Sequence, residues 1–256
     1  MELGLQDEVA LVAGAGRGLG RAVAEALAAE GARVALVART ADEVEAAARG
    51  IVERGGEAIG VAADLTNAAA TEAALAEVTT RLGAPAILVW SVASWFAPRR
   101  LHTVDAADLR AFLDVDLVAA AELCRRLLPG MIQQQYGRVV CLGSLAARTG
   151  VRGGTAYAAA KAGLAGLVRG IAADYGRYGV TANLVTLGFV DTERLARRTA
   201  TDAAARQRLA DACATRRIPT PAECAAPIVF LCSRAAGVVT GADLDVTAGA
   251  HLNITV

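Results

Sequence analysis

The sequence predicts an α/β fold, a single doubly wound domain whose parallel sheet carries helices on both faces. Three observations predict it. Short runs of Val, Ile, Leu and Ala alternate with longer helical segments, joined by loops of a few residues. The first run enters a helix through a glycine-rich turn, residues 9–20 reading VALVAGAGRGLG; a helix start of this kind offers unpaired N–H groups and a positive dipole end to an anion. At 256 residues the chain can bury one large core and leaves no room for a second domain of similar size.

Taken in order, Val9, Leu11 and Val12 make a buried strand, and residues 19–30 a helix with Gly31 beyond its end. Residues 33–38 (RVALVA) are a second strand, after which Arg39 and a Thr40 cap open a helix that stops at Gly55 and Gly56. A third strand, 58–63, ends in Asp64; Thr66 or Asn67 caps an alanine-rich helix closed by Gly83, and AILV at 86–89 is the fourth strand. The second half repeats the rhythm with a long helix over 105–135 that carries Pro129 near its end, a strand at 138–142, a helix at 156–175 and a strand at 181–186. Residues 191–217 are polar, arginine-rich and only weakly periodic, the character of a mobile lid, which we assign to 189–217. A helix at 221–232 and a strand at 243–247 complete seven strands, with ligands expected at their carboxyl ends near the topological switch point.

Composition narrows the function. Lys plus Arg (26) balance Asp plus Glu (26), which favours neither a nucleic acid nor an anionic membrane as partner. Hydrophobic residues reach 55%, yet no apolar run is long enough to span a bilayer. The start MELGLQDEVA lacks the basic-then-apolar pattern of a secretion signal, so a cytoplasmic protein is expected. Five cysteines (Cys124, Cys141, Cys213, Cys224, Cys232) have no metal-ligand spacing and read as buried free thiols; no metal site is expected.

Three glycines of the first turn, Gly14, Gly18 and Gly20, form G-x-x-x-G-x-G with an additional Gly16. Tyr157 and Lys161 stand four apart (YAAAK), which puts phenol and ammonium on one helix face. A phenol is almost wholly protonated at neutral pH, and a cation about 4 to 6 Å away eases its ionisation, making it a usable general acid or base. Ser144, at the end of RVVCLGS, is placed to hold the carbonyl oxygen that the phenol protonates.

With these residues in this order the chain resembles the short-chain dehydrogenase/reductase family over essentially its whole length. The resemblance rests on the glycine turn, Asp64-Leu65, Ser144 thirteen residues before Tyr157, the Y-x-x-x-K itself, Asn183 in TANLVT, GFVDT from Gly188 to Thr192, and FLCS before Thr240-Gly241. It implies a Rossmann-type fold and hydride transfer between nicotinamide C4 and a carbonyl or alcohol. Tyr157 would pass the proton, Ser144 steady the oxygen, and Lys161 bind the nicotinamide ribose while acting on the phenol. Val190 and Thr192 would meet the carboxamide and Asp64 and Leu65 the adenine; Gly14, Gly18, Leu19, Gly20, Ala93 and Gly188 are the further cofactor contacts. Where the family's NAD-binding members carry an acidic residue at the end of the second strand, this chain has Ala38 followed by Arg39. Arg39 and Arg17 can clamp a 2′-phosphate, so NADP(H) is expected over NAD(H).

The departures from the family cluster. Ala13 stands for the usual Thr, Trp90-Ser91-Val92-Ala93 for Asn-Asn-Ala-Gly, Asp116 for Asn and Leu187 for Pro. Ala13 and Trp90 read as one linked change, with Trp90 filling the core rather than lying beside the adenosine. Asp116, counted with Ser144, Tyr157 and Lys161 among the catalytic residues, would put an anion near Lys161, tightening the ammonium while partly cancelling its pull on Tyr157. The expectation is activity with a displaced pH optimum; the alternative is that Asp116 turns away. Trp95, Phe96, His102, Arg194, Arg197 and Arg198 are candidates for the substrate pocket, and the role of His251 is left open.

The leading reading is therefore NADPH-dependent reduction of a ketone or aldehyde, with a small-molecule substrate. A nucleotide-binding protein of the same fold without turnover, and an NADP-dependent dehydratase or epimerase, are the alternatives. Arg125 and Arg126 are the residues an acidic carrier protein would meet if the substrate were carrier-bound. Small residues (Ala158, Ala162, Gly163, Ala165, Gly166) suit close packing between subunits, so a homo-oligomer, tetramer or dimer, is expected.

Overall fold

The computed structural model describes residues 2–94 and 98–252. Strand β1 (Val9–Ala13) is wholly buried and runs through the glycine turn into α1 (Gly18–Ala29). Then follow β2 (Arg33–Ala38), α2 (Ala41–Glu53), β3 (Glu57–Ala62), α3 (Ala68–Leu82) and β4 (Ile87–Trp90). The seven strands lie in the order β3-β2-β1-β4-β5-β6-β7 and every adjacent pair is parallel, with β5 at Gly137–Ser144, β6 at Val180–Leu187 and β7 at Asp243–Val246. The chain builds outward from β1 on one side, then returns to β4 and builds outward on the other, so the β1/β4 junction is the switch point.

Two apolar layers cover the sheet. One includes residues of α1, α2 and α10 (Pro221–Cys232); the other includes residues of α3, α5 (Ala119–Gln134) and α7 (Thr155–Tyr175). No helix among the described residues is long and apolar enough to cross a membrane.

The elements depart from the sequence reading in three informative places. First, β4 extends one residue further, because Trp90 pairs in register with Ala13 and is completely buried in the α3/α5/α7 layer. Small Ala13 beside large Trp90 conserves volume; the indole N–H finds no acceptor among the described residues. Second, the long helix is α4 (Ala106–Leu113) and α5 joined by one π-helical turn, Asp114–Val118, which inserts an extra residue without breaking the rod. That turn points Asp116 into the protein, where it is fully buried. Third, residues 191–217 hold two short helices, α8 (Glu193–Thr199) and α9 (Ala203–Asp211), started by Thr192 and Asp202 side chains that accept from backbone N–H groups. Each is too short to show a strong period. A further four-residue helix, α6 (Ala146–Thr149), follows β5.

Candidate active site

The carboxyl ends of the central strands open on one cavity of about 1260 Å³. Its wall includes Gly14, Arg17, Gly18, Leu19, Gly20, Arg39, Asp64, Leu65, Ala93, Ser144, Tyr157, Lys161, Gly188, Val190 and Thr192. Of the catalytic and cofactor-binding residues assigned from sequence, Asp116 alone is not part of the wall; it lies behind Lys161.

At one end, the glycine turn is fixed by exclusion. Gly14 sits at φ +79°, and a Cβ there would stand 2.9 Å from the Ser91 carbonyl; a Cβ on Gly20 would stand 2.3 Å from the Gly14 oxygen. Helix α1 begins at Arg17 with no side-chain cap and no acidic residue in its first turn. By contrast α3, α4, α8, α9 and α10 are capped by Asn67, Asp105, Thr192, Asp202 and Thr220. Helix α2, which begins beside Arg39, also lacks a cap bond from Thr40. The start of α7 at Gly154 lacks a side-chain cap as well, so three uncapped N-termini face the cavity, and that of α1, entered through the glycine turn, suits the phosphates of a dinucleotide. The Asp64 carboxyl is held below its ordinary range chiefly by hydrogen bonds from the Thr66 hydroxyl (2.7 Å) and N–H (3.0 Å), with Arg39 adding its charge. Arg17, expected at the 2′-phosphate, pairs with Glu43 of α2 at 3.3 Å. Sequence reasoning missed Glu43, which is 26 residues away in the chain.

At the other end stand the residues of the proton-transfer reading. Ser144 closes β5, and its Oγ accepts the Ala146 N–H at 3.2 Å. Tyr157 lies in the first turn of α7 with Lys161 one turn on. The Lys161 side chain is only 2% exposed and its Nζ donates to the Val92 carbonyl (2.9 Å) and the Leu142 carbonyl (3.2 Å), and pairs with Asp116 Oδ1 (3.0 Å). An ammonium has three hydrogens, so its donors are all taken. Asp116 thus turns toward Lys161, not away, and both of its oxygens also accept the Ser94 N–H, at 3.2 and 3.1 Å. A buried lysine needs several acceptors, but which carbonyls supply them depends on where β4 and β5 end, and no local pattern shows that.

Arg194, Arg197 and Arg198 of α8 also line the cavity. Arg194 donates to the Ser94 carbonyl at 3.3 Å. Desolvation pulls its guanidinium below the ordinary value; Tyr157 acts against this, Arg17 with it, Asp116 against it and Arg198 with it, in falling order. His102 is exposed in the short turn Leu101–Thr103, outside the cavity wall, and a ring nitrogen of His251 is 2.7 Å from the Thr247 hydroxyl. Trp95 and Phe96 lie outside the described residues. Arg125 pairs with Glu122 at 2.8 Å. Gly166 and Gly170 face a groove of about 360 Å³ between α5 and α7.

The profile described as enoyl-(acyl carrier protein) reductase matches residues 14–251. The short-chain reductase protein NovJ of Streptomyces niveus is 38% identical over 248 residues, covering 95% of this chain and 94% of that protein. The acetoacetyl-CoA reductase of a Synechocystis strain is 35% identical over 98% of this chain and 99% of its own. Among solved structures, L-sorbose reductase from Gluconobacter frateurii, complexed with NADPH and L-sorbose, matches with a TM-score of 0.91 at 26% identity, over 99% of this chain and 100% of that one. This chain belongs to the short-chain dehydrogenase/reductase family of NAD(P)-dependent oxidoreductases.

Proposed function

We propose that the chain is an NADPH-dependent reductase of a ketone or aldehyde, with Tyr157 as the proton donor. The observation that supports this most is the meeting of Ser144, Tyr157 and Lys161 in one cavity with the uncapped start of α1. The printed descriptions of the similar proteins, an acetoacetyl-CoA reductase and a sorbose reductase complexed with NADPH, point the same way.

In this reading Gly14, Gly18, Leu19 and Gly20 hold the pyrophosphate, Asp64 and Leu65 the adenine, and Arg39 with Arg17 the 2′-phosphate. Ala93, Gly188, Val190 and Thr192 flank the nicotinamide, and Lys161 serves its ribose by giving up one of the three acceptors it holds here. The bound cofactor supplies a hydride to the carbonyl carbon. Ser144 holds the carbonyl oxygen with its hydroxyl, and the Tyr157 phenol gives that oxygen its proton, so ketone becomes alcohol while the phenolate is reprotonated from solvent. Residues 1–256 act as one domain with 189–217 as the substrate lid, in a cytoplasmic homo-oligomer that packs through α5 and α7. A carrier-bound substrate would meet Arg125 and Arg126, which pair here with Glu122 and, for Arg126, also with Glu72.

The test is direct. Fluorescence titration with NADPH should show binding, and a panel of carbonyl compounds should reveal one whose reduction consumes NADPH. Tyr157→Phe should then lower kcat by about 10²- to 10⁴-fold, with the Kd for NADPH unchanged. A Tyr157→Phe enzyme of undiminished kcat sinks the assignment. The pairing of Lys161 with Asp116 favours one competing reading, a nucleotide binder without turnover; NADPH binding with no oxidation across the panel would select it.

A further inference from the structure

The segment that carries α8 and α9 sorts its arginines by where they face. Residues 191–217 hold seven. Arg206, Arg208, Arg216 and Arg217 do not border the cavity, and each has a carboxylate within 4.0 Å, from Asp191, Asp202, Asp211 and Glu223 in turn. Arg194, Arg197 and Arg198 line the cavity. Arg194 donates to the Ser94 carbonyl, whereas Arg197 and Arg198 are exposed and have no ion pair or hydrogen bond among the described residues. Glu193 precedes Arg197 by four residues, the favourable helical spacing, yet makes no ion pair with it; its Oε2 is 4.0 Å from the point where a Gly18 Cβ would stand.

The other carboxylates of the cavity wall are engaged elsewhere. Glu43 pairs with Arg17, Asp108 with Arg99, and Asp64 accepts from Thr66 beside Arg39, which leaves Glu193 facing three guanidinium groups. This local excess of positive charge has a definite place. Thr192, the cap of α8, packs on the glycine turn, its Cγ2 3.3 Å from a Gly18 Cβ position. Two residues on, Arg194 already reaches Ser94, whose N–H is held by Asp116 behind Lys161. Positions i, i+3 and i+4 share a helix face, so Arg197 and Arg198 stand on the face of Arg194 and one turn further from the glycine turn. Val104 and Val115 line the same cavity with apolar groups.

We propose that the substrate carries an anionic group, carboxylate or phosphate, apart from its carbonyl, and that Arg197 and Arg198 hold it. The carbonyl then lies at Ser144 and Tyr157, the apolar part of the substrate against Val104 and Val115, and the anion on two guanidinium groups whose forked donors match paired oxygens. Given the reductase reading above, on which this rests, charged carbonyl compounds are good substrates and neutral ones poor.

Matched pairs test it: acetoacetate against methyl acetoacetate for a carboxylate, and acetoacetyl-CoA against the acetoacetyl thioester of N-acetylcysteamine for a phosphate. The parent should favour the charged member of at least one pair by about tenfold in kcat/KM, mainly through KM, and salt should erode that preference. The pair that shows it identifies the source of the anion. Arg197→Met combined with Arg198→Met should raise KM for the charged member about tenfold and for its neutral partner much less, and lysine at both positions should restore part of the preference. Dissociation constants for NADPH and NADH should stay at the parent values. No preference for either charged member, or a preference that the double methionine variant keeps, overturns the proposal. So does weaker binding of both nucleotides, which would put the arginines on the pyrophosphate, or of NADPH alone, which would put them on the 2′-phosphate. Should no carbonyl compound oxidise NADPH, the reductase reading fails, and calorimetric titration with acetoacetate and with coenzyme A still decides the anion site. Binding that the double methionine variant loses supports it; equal binding, or none, overturns it.

Discussion

The two walls of the cavity are built by opposite means. On the side of β1, α1 and β2, backbone meets backbone: Gly20 abuts the Gly14 carbonyl, Gly14 the Ser91 peptide, and the flanking strands are almost wholly buried. On the side of residues 191–217, α8 and α9 are mostly exposed and are held by ion pairs, Arg206 with Asp191 at 2.5 Å, Arg208 with Asp202 at 3.2 Å and Arg217 with Glu223 at 2.6 Å. Exposed pairs contribute about 0 to 1 kcal/mol each, whereas a close-packed backbone contact tolerates no added atom without strain. The first wall is therefore a close-packed mould, and the second a surface held mainly by exposed charge.

The contrast is easiest to break at Gly20. Gly20→Ala places a methyl 2.3 Å from the Gly14 oxygen, and Gly14 cannot yield, being itself held against Ser91. Overpacking of this kind costs about 1–3 kcal/mol, and the displaced amides should weaken NADPH binding at least about tenfold. Arg206→Ala, which removes an ion pair from the opposite wall, should change unfolding free energy by less than about 1 kcal/mol. Urea unfolding and fluorescence titration of both variants decide the matter; equal tolerance at the two positions would erase the distinction between the walls.

The same contrast explains what could be read from sequence. The glycine wall was legible because a turn that excludes side chains leaves a mark at fixed spacing: Gly14, Gly18 and Gly20 announce it, and β1, β2 and α10 fall where the apolar runs place them. The seven parallel strands followed from alternation alone, and Tyr157 with Lys161 from helical spacing. What the sequence hid depends on long-range register. That Lys161 spends its donors on Val92, Leu142 and Asp116 is decided by the π-helical turn, and nothing in FLDVDL distinguishes that turn from ordinary helix. The Arg17–Glu43 pair and the Arg194–Ser94 contact join side chains far apart in the chain, on flexible stems, and charge pattern along one segment cannot foresee them.

A smaller effect is expected where the two kinds of construction meet, at the proposed 2′-phosphate site. Arg39 is exposed and contributes to holding Asp64 ionised, while Arg17 is shared with Glu43. A charge-assisted contact contributes about 1.5–3 kcal/mol, so Arg39→Ala should weaken NADPH binding about 10- to 100-fold and leave NADH nearly unaffected. Glu43→Gln should act in the opposite sense, releasing Arg17 and removing a carboxylate that repels the phosphate. Dissociation constants for both nucleotides measure this; a loss shared equally between NADPH and NADH would place Arg39 outside the 2′ site.

The smallest effect concerns the base of the wall that carries α8 and α9. The Asp191 N–H donates to the Pro219 carbonyl at 2.8 Å, which ties the two ends of the segment together, and the next anchor is Glu223. Its carboxylate accepts from Arg217, from the Thr220 N–H at 2.9 Å and from the Thr220 hydroxyl at 3.0 Å, within the capping box that starts α10. Arg217 first, then Thr220, hold this carboxyl down to about 2, from an ordinary value of 4.5. A carboxyl whose folded value is depressed binds more protons when unfolded, so its contribution is complete above pH 4.5 and is lost as the pH falls toward 2. Glu223→Gln should therefore lower Tm modestly at neutral pH, and the gap between variant and parent should close across that acid window. The group is exposed, so salt should shrink the Arg217 share while leaving the Thr220 bonds. Thermal melts followed by circular dichroism, at several pH values and two salt concentrations, separate the two. A gap that stays constant with pH would mean that Glu223 holds the segment by shape, as the glycine wall does, and not by charge.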